Sequence, residues 1–250
     1  MIALLDSGNS RLHFSWWDSY KLKNPVSIPY PETPDALTGI VADLFSINIP
    51  QKVAACSVSS QWKEFLFRAV EKIAPGKLVV ARTALDTGIR IKYDKPETLG
   101  IDRVLAVDAA YRFFCGSCVV IDAGTAVTVD AVGEDGTFLG GYIFPGADLL
   151  SRSLSAKTSL PCVSPDYDCT GVGNSTESCI SRAVSLGFYA AVDKLIRLTA
   201  IAAGGTDRII VTGGGGEHLM KCLPFTVVYR PFLVLEGLGY CIDRLPEYSE

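Results

Sequence analysis

Hydrophobic positions along this chain follow two alternating periods. Runs with strand-like spacing occupy 2–5, 11–17, 52–56, 77–81, 118–121, 126–132, 208–212 and 226–229. Apolar residues at helical spacing occupy 34–46, 61–73, 100–114, 176–203 and about 216–221. Strands interleaved with helices of that length predict an α/β protein. Asn174, Ser175 or Thr176 is placed to cap the longest helix, and Glu177 in its first turn suits the helix dipole. A last helix is expected over 235–244. No low-complexity tract or Pro/Ser linker interrupts the pattern, so a domain boundary is expected near 115–118.

One stretch of the pattern occurs twice. Residues 2–14 read as an apolar strand, then Asp6-Ser7-Gly8-Asn9-Ser10, then a second strand. Residues 118–132 repeat this as Cys118-Val119-Val120-Ile121, then Asp122-Ala123-Gly124-Thr125-Ala126, then Val127 to Val132. The two aspartates lie 116 positions apart, close to half of the chain. Duplicated halves of this kind imply two related domains, 1–116 and 117–250, facing across a cleft. In each turn, Gly lets backbone N–H groups approach an anion, and the hydroxyl and amide side chains add donors. An Asp at a strand end offers hard oxygens to a cation. A single D-x-G is also what an ordinary hairpin turn prefers. The repetition is what favours the anion site.

A third glycine feature follows the run Ile209-Ile210-Val211, where Thr212 leads into Gly213-Gly214-Gly215-Gly216. Such a backbone can lie against an adenosine, or can be a flexible connection to the next helix. Other nucleotide and hydrolase signatures are absent. There is no G-x-x-x-x-G-K-[ST], and the glycine pairs 171/173 and 237/239 lack the third small residue of a dinucleotide fingerprint. No G-x-S-x-G occurs, and only His13 and His218 could serve a triad.

Composition narrows the partners. The 250 residues are 48% hydrophobic and 20% charged, with a net charge of −4 and a pI near 5.3, which speaks against a phosphate-gripping nucleic-acid face. No apolar run reaches the roughly 18 residues that a spanning helix needs. The N-terminus has no basic, leader-like segment, so a soluble cytoplasmic product is expected. Eight cysteines, at 56, 115, 118, 162, 169, 179, 222 and 241, are too sparse for a disulfide scaffold. They are expected to be reduced and buried. Cys115-Gly116-Ser117-Cys118 has CxxC spacing, but the two histidines do not complete a zinc set.

Taken together, these segments resemble the type III pantothenate kinases, of the sugar kinase, heat-shock ATPase and actin superfamily. Asp6 to Ser10 is similar to that family's first phosphate motif, and Gly100-Ile101-Asp102-Arg103 to its G-x-D-R motif. Asp122 to Ala126, with Thr128 and Asp130, is similar to the second phosphate motif. Gly140 to Gly146, then Thr158 and Leu160-Pro161, resembles the segment after it. The motifs occur in the family's order over most of the chain. Where the family commonly has Asn-Thr before the late helix, this chain has Ser175-Thr176.

The resemblance implies two actin-like (ribonuclease H-like) domains with a nucleotide cleft between them, and transfer of the γ-phosphoryl group of ATP to pantothenate. It implies Asp102 as general base, although a helix N-terminal cap would also explain an Asp there. Tyr93, Gly100, Ile101, Asp102, Arg103 and Thr176 would contact pantothenate, with Arg103 facing its carboxylate; a surface ion pair is the alternative for Arg103. Asp6, Ser7, Gly8, Asn9, Ser10, Arg11, Leu12, His13 and Thr125 would contact ATP. Asp6 would hold Mg²⁺ through water, Asp122 a monovalent cation (K⁺ or NH₄⁺), and the Gly213–Gly216 run the adenosine. A homodimer is implied, with no nucleic-acid or membrane partner. The alternatives are a non-catalytic nucleotide-binding regulator of the same fold, or a kinase for another small hydroxyl substrate.

Overall fold

The computed structural model describes residues 1–167 and 171–248. In chain order the first half contains β1 (Ile2–Ser7), β2 (Arg11–Asp18), β3 (Lys21–Pro29), α1 (Ala36–Phe45), β4 (Lys52–Ser57), α2 (Lys63–Ile73), β5 (Leu78–Ala81) and α3 (Ile101–Phe114). The second contains β6 (Cys118–Ala123), β7 (Ala126–Val132), β8 (Phe138–Pro145), α4 (Ala147–Ala156), α5 (Thr176–Ala202), β9 (Ile209–Thr212), α6 (Gly216–Cys222), β10 (Val228–Tyr229) and α7 (Leu233–Cys241). No helix among the described residues is long and apolar enough to cross a membrane.

The chain divides into two compact units. The first comprises Met1–Cys115, Gly136–Phe138 and the chain from Phe232 onward; the second comprises Gly116–Asp135 and Leu139–Pro231. Residues 232–248 thus correct the expectation that everything after 116 belongs to the second domain. Helix α7 packs on α3, β1 and β2 of the first unit.

The first unit's sheet runs β3-β2-β1-β4-β5, with β1 antiparallel to β2 and parallel to β4. Ala3, Leu4 and Leu5 are fully buried, as expected for a central strand covered on both faces. Leu5, Phe14 and Trp16 meet Leu37, Val41 and Phe45 of α1 and Leu66 and Val70 of α2 in one core. The second unit's sheet, β8-β7-β6-β9-β10, repeats that order strand for strand. Its core joins Val119, Ile121, Val127 and Val129 to Phe188, Val192 and Ile196 of α5. Ser175 caps α5, accepting the Ser178 N–H at 3.2 Å.

Two strands, β3 and β8, and helix α4 go beyond the elements that periodicity predicts. Both strands are sheet edges. In β3, Asn24 is left-handed (φ 52°) and Pro25 has no N–H, so pairing with β2 is broken between Phe14 and Trp16. The Ser15 hydroxyl fills the gap, accepting the Lys23 N–H at 3.1 Å and donating to the Lys23 carbonyl at 3.0 Å. β8 carries Gly140-Gly141 in its interior.

Glycines 237 and 239, read in the sequence as an incomplete dinucleotide fingerprint, turn out to be packing positions. A Cβ on Gly237 would lie 2.0 Å from the Leu105 carbonyl oxygen of α3, and one on Gly239 would lie 2.6 Å from the Trp17 ring. In an open helix Gly→Ala stabilises by about 1 kcal/mol. Gly237→Ala should reverse that sign, because overpacking against backbone costs about 1–3 kcal/mol. Urea unfolding should show a lower midpoint for the variant. An unchanged or higher midpoint would show that α7 can lift off α3 freely.

Candidate functional site

In the first unit β1 carries Asp6 to its penultimate position, in register with Cys56 on β4 and His13 on β2. The Cys56 thiol lies 3.5 Å from Asp6 Oδ1 and donates to it. Burial, reinforced by the charges of Asp6 and Asp102, pushes that thiol well above its ordinary pKa, so it remains a neutral donor. Asp102 occupies the first turn of α3, where its Oδ1 accepts the Arg103 N–H at 2.8 Å. Burial raises the proton affinity of this carboxyl, and the Arg103 N–H and guanidinium offset only part of the rise. A desolvated carboxyl of this kind is suited to accept a proton.

Arg103 is itself buried, with its guanidinium 5.4 Å from the centroid of the Phe138 ring. Tyr93 meets the same ring edge-on at 6.0 Å. The structure therefore brings Tyr93 and Arg103 together on Phe138, next in the chain to Gly100 and Asp102. The Ile101 side chain is committed to the core. Thr176 is the first residue of α5, in the second unit.

The turn after β1 divides into exposed and committed groups. Gly8 closes it by donating its N–H to the Arg11 carbonyl at 3.1 Å, and Asn9 and Ser10 are exposed. Ser7 is fully buried, with its hydroxyl 2.7 Å from the Tyr30 hydroxyl, which reaches the Gly8 carbonyl at 3.0 Å. Arg11 is held by Ser27, through Nε to the hydroxyl at 2.7 Å and Nη2 to the carbonyl at 2.9 Å. Leu12 is a core residue. His13 Nδ1 is buried without a hydrogen-bond partner, and burial and Arg11 both lower its pKa.

In the second unit Asp122 occupies the same penultimate position on β6, in register with Thr128 on β7 and Thr212 on β9. Thr125 is exposed on the turn. The glycine run folds directly against that turn. Gly213 is left-handed (φ 84°), and a Cβ there would lie 2.4 Å from Asp122 Oδ1. Gly215 donates its N–H to the Ala123 carbonyl at 2.8 Å, and Gly146, ahead of α4, donates to the Thr125 carbonyl at 3.0 Å. Tyr229 donates its hydroxyl to the Gly213 carbonyl at 3.2 Å. This is an ordered strand-to-helix connection built onto the second turn, with Gly214 and Gly215 exposed.

Residues 2–198 match the sequence family described as Type III pantothenate kinase. The type III pantothenate kinase of Halorhodospira halophila is 34% identical over 248 residues, covering 95% of this chain and 96% of that protein. The chain belongs to the type III pantothenate kinase family. Among solved structures, a Campylobacter jejuni protein described as a candidate Baf family transcriptional activator superposes with a TM-score of 0.59 at 21% identity, covering 96% of this chain and 97% of its own. The acetate kinase of Porphyromonas gingivalis does so with 0.55 at 12% identity, covering 97% and 98%. These two likenesses show the actin-like ATPase and sugar-kinase fold.

Within this family member, sequence reasoning missed Tyr30, Cys56, Trp62 and Phe138. Cys56 reaches Asp6 only through the β1–β4 register, and Tyr30 stacks on Trp62 with centroids 4.4 Å apart and planes 3° from parallel. An aromatic directly after a Pro-ended polar strand was the one local signal for Tyr30. The cysteine expectation holds for Cys56, Cys118 and Cys241, which are buried, and is corrected for Cys115, Cys162, Cys179 and Cys222, which are exposed; all seven are free. Cys169 lies outside the described residues. Exposed thiols fall in helix ends and loops, where no core demands them.

The raised proton affinity of Asp102 has a consequence for stability. The partly desolvated carboxyl prefers to be neutral, so its contribution is fully present below the unfolded value near 4 and is lost as pH rises through the folded value. Asp102→Asn, which is neutral throughout, should therefore gain stability relative to the native kinase as pH rises from about 4 to 7. Denaturant midpoints of both proteins across that range check this. A constant difference would mean that Asp102 carries no burial penalty.

Proposed function

We propose that this chain transfers the γ-phosphoryl group of ATP to the primary hydroxyl of pantothenate, the first step of coenzyme A synthesis. The observation that carries the reading is Asp102, a half-buried carboxyl in desolvating surroundings at the start of α3, within the G-x-D-R segment and beside the Arg103–Phe138–Tyr93 group. Family membership supplies the substrates. Phosphoryl transfer is mainly positioning and charge stabilisation, so the chain must align the hydroxyl, accept its proton and hold the phosphates.

In this reading Asp102 accepts the hydroxyl proton. Arg103 presents its fork of donors to the pantothenate carboxylate, while Phe138 keeps the guanidinium in place. Tyr93 and Gly100 are further proposed substrate contacts, as are Ile101, through its backbone since its side chain is in the core, and Thr176. Turn 8–10 offers backbone N–H groups and the Asn9 and Ser10 side chains to the phosphates, and Thr125 contacts the nucleotide. Asp6 would hold Mg²⁺ through water, and Asp122 would hold K⁺ or NH₄⁺. Among the described residues no three His, Cys, Asp or Glu side chains converge on one point. Mg²⁺ is commonly held by one or two carboxylates, so Asp6 alone could serve as its protein ligand. When bound, the cations offset the negative charge on the phosphates. Family membership is the support for a homodimer. ATP supply and seven free thiols favour the cytoplasm.

A coupled ADP-release assay tests the reading. ADP should appear only when pantothenate is present. ADP release with another small alcohol and none with pantothenate would reassign the substrate, and no release with any acceptor would make the chain a regulator. Asp102→Asn should lower kcat roughly 10²- to 10⁴-fold, the size of a general-base contribution, with little change in Mg·ATP affinity. Near-native turnover would leave Asp102 a structural role only, in the first turn of α3, where Gly100 and not Asp102 is the N-cap residue.

The cation assignment has its own check. The chain has no P-loop lysine to balance the phosphates. Turnover with Mg²⁺ in Tris buffer should therefore rise strongly when K⁺ or NH₄⁺ is added at constant ionic strength, and much less in Asp122→Ala. Full activity without either ion would remove the role given to Asp122.

A further inference from the structure

We infer that Tyr30 is a positioning residue for the nucleotide phosphates: its hydroxyl locks the Gly8–Asn9 peptide so that the carbonyl faces the protein and the Asn9 N–H faces the opposite way. The inference rests on the kinase reading above, in which turn 8–10 receives phosphate, and adds a residue outside every motif of the chain.

The Tyr30 hydroxyl lies 3.0 Å from the Gly8 carbonyl and 2.7 Å from the Ser7 hydroxyl. A carbonyl only accepts, so the single Tyr30 proton goes to Gly8, and the Ser7 hydroxyl donates to Tyr30. The direction is thus fixed as Ser7 to Tyr30 to Gly8. Burial, with the Asp6 charge adding to it, lifts Tyr30 to about 12. The hydroxyl therefore stays a donor throughout the physiological range.

The carbonyl of a trans peptide and the N–H of the next residue point in opposite directions. Holding the Gly8 oxygen on Tyr30 therefore fixes where the Asn9 N–H points. Without that hold, a peptide following glycine is the one in this turn freest to rotate, because Gly8 has no Cβ to restrict it. Rotation would replace a donor by a carbonyl oxygen, which repels an anion. The neighbouring peptide is braced separately, since the Ser7 carbonyl accepts the Val58 N–H at 3.2 Å and the Ser57 hydroxyl at 3.3 Å.

Tyr30 is in turn held rigidly. It follows the last residue of β3, and its ring lies flat on Trp62, 4.4 Å between centroids. Trp62 is almost fully buried, and its N–H is held by the Ser59 hydroxyl at 3.2 Å. The ring stack fixes the ring plane and the hydroxyl pair fixes its tip. Tyr30→Phe keeps the first and removes the second.

The test compares native protein and Tyr30→Phe by calorimetric titration with Mg·ADP and with adenosine, together with KM for ATP and for pantothenate. Kd for Mg·ADP and KM for ATP should each rise roughly 3- to 10-fold, the net size of one hydrogen bond. Adenosine affinity and KM for pantothenate should stay near native, while the thermal midpoint falls by about 2–8 °C because the buried Ser7 hydroxyl loses its acceptor. Unchanged Mg·ADP affinity overturns the inference, and so does an equal weakening of adenosine, which lacks phosphates. Native protein that binds Mg·ADP but never phosphorylates pantothenate overturns the kinase reading alone, because the two titrations still decide Tyr30.

Discussion

A carboxylate at the end of a buried strand has lost much of its hydration and needs compensation from its neighbours. In the first unit that requirement falls on Asp6, which is 7% exposed on a central strand. The parallel register of β1 and β4 sets the Cys56 thiol against it, and the charges of Asp6 and Asp102 both bear on that thiol. The same dry surroundings raise the proton affinity of Asp102. The close contact of α7 with α3, possible because Gly237 has no side chain, seals the sheet face behind α3. Tyr30 and Trp62 brace the turn that Asp6 precedes. Site and core in this unit are one construction.

The second unit reaches a similar strand-end aspartate by different means. Asp122 stands in register with Thr212 where Asp6 faces Cys56. Its turn is braced by backbone rather than by aromatic rings, through Gly146 and Gly215. The duplication therefore preserves the sheet order and the aspartate, and varies what supports them.

Much of this was legible in the sequence, for reasons that particular residues make clear. Central strands are continuous apolar runs, so β1, β4, β6 and β9 stand out, and the spacing from Asp6 to Asp122 exposes the repeat. The edge strands β3 and β8 carry no such signature. β3 holds Asn24 and Pro25 and β8 holds Gly140-Gly141, so both read as loops. Chain membership of α7 was hidden because local periodicity says nothing about a partner more than a hundred residues away. Asp6 and Asp122 could be named from the repeat, and Asp102 only from the resemblance of its G-x-D-R segment. Cys56, Tyr30, Trp62 and Phe138 could not, since each acts through a register or a ring contact that exists only after folding. Ser7, Arg11 and Leu12 lie inside a phosphate motif, yet their side chains are spent on Tyr30, Ser27 and the core.

The account turns on Asp102 being a carboxyl that burial makes avid for a proton. The most direct measurement is an NMR titration of the side-chain carboxyl carbons in the native protein, with Asp102→Asn identifying the resonance. The account predicts that this carboxyl titrates clearly above the ordinary Asp value of about 3.9. A value at or below that figure would show that the Arg103 contacts outweigh burial, and would contradict the role of Asp102 as the proton acceptor.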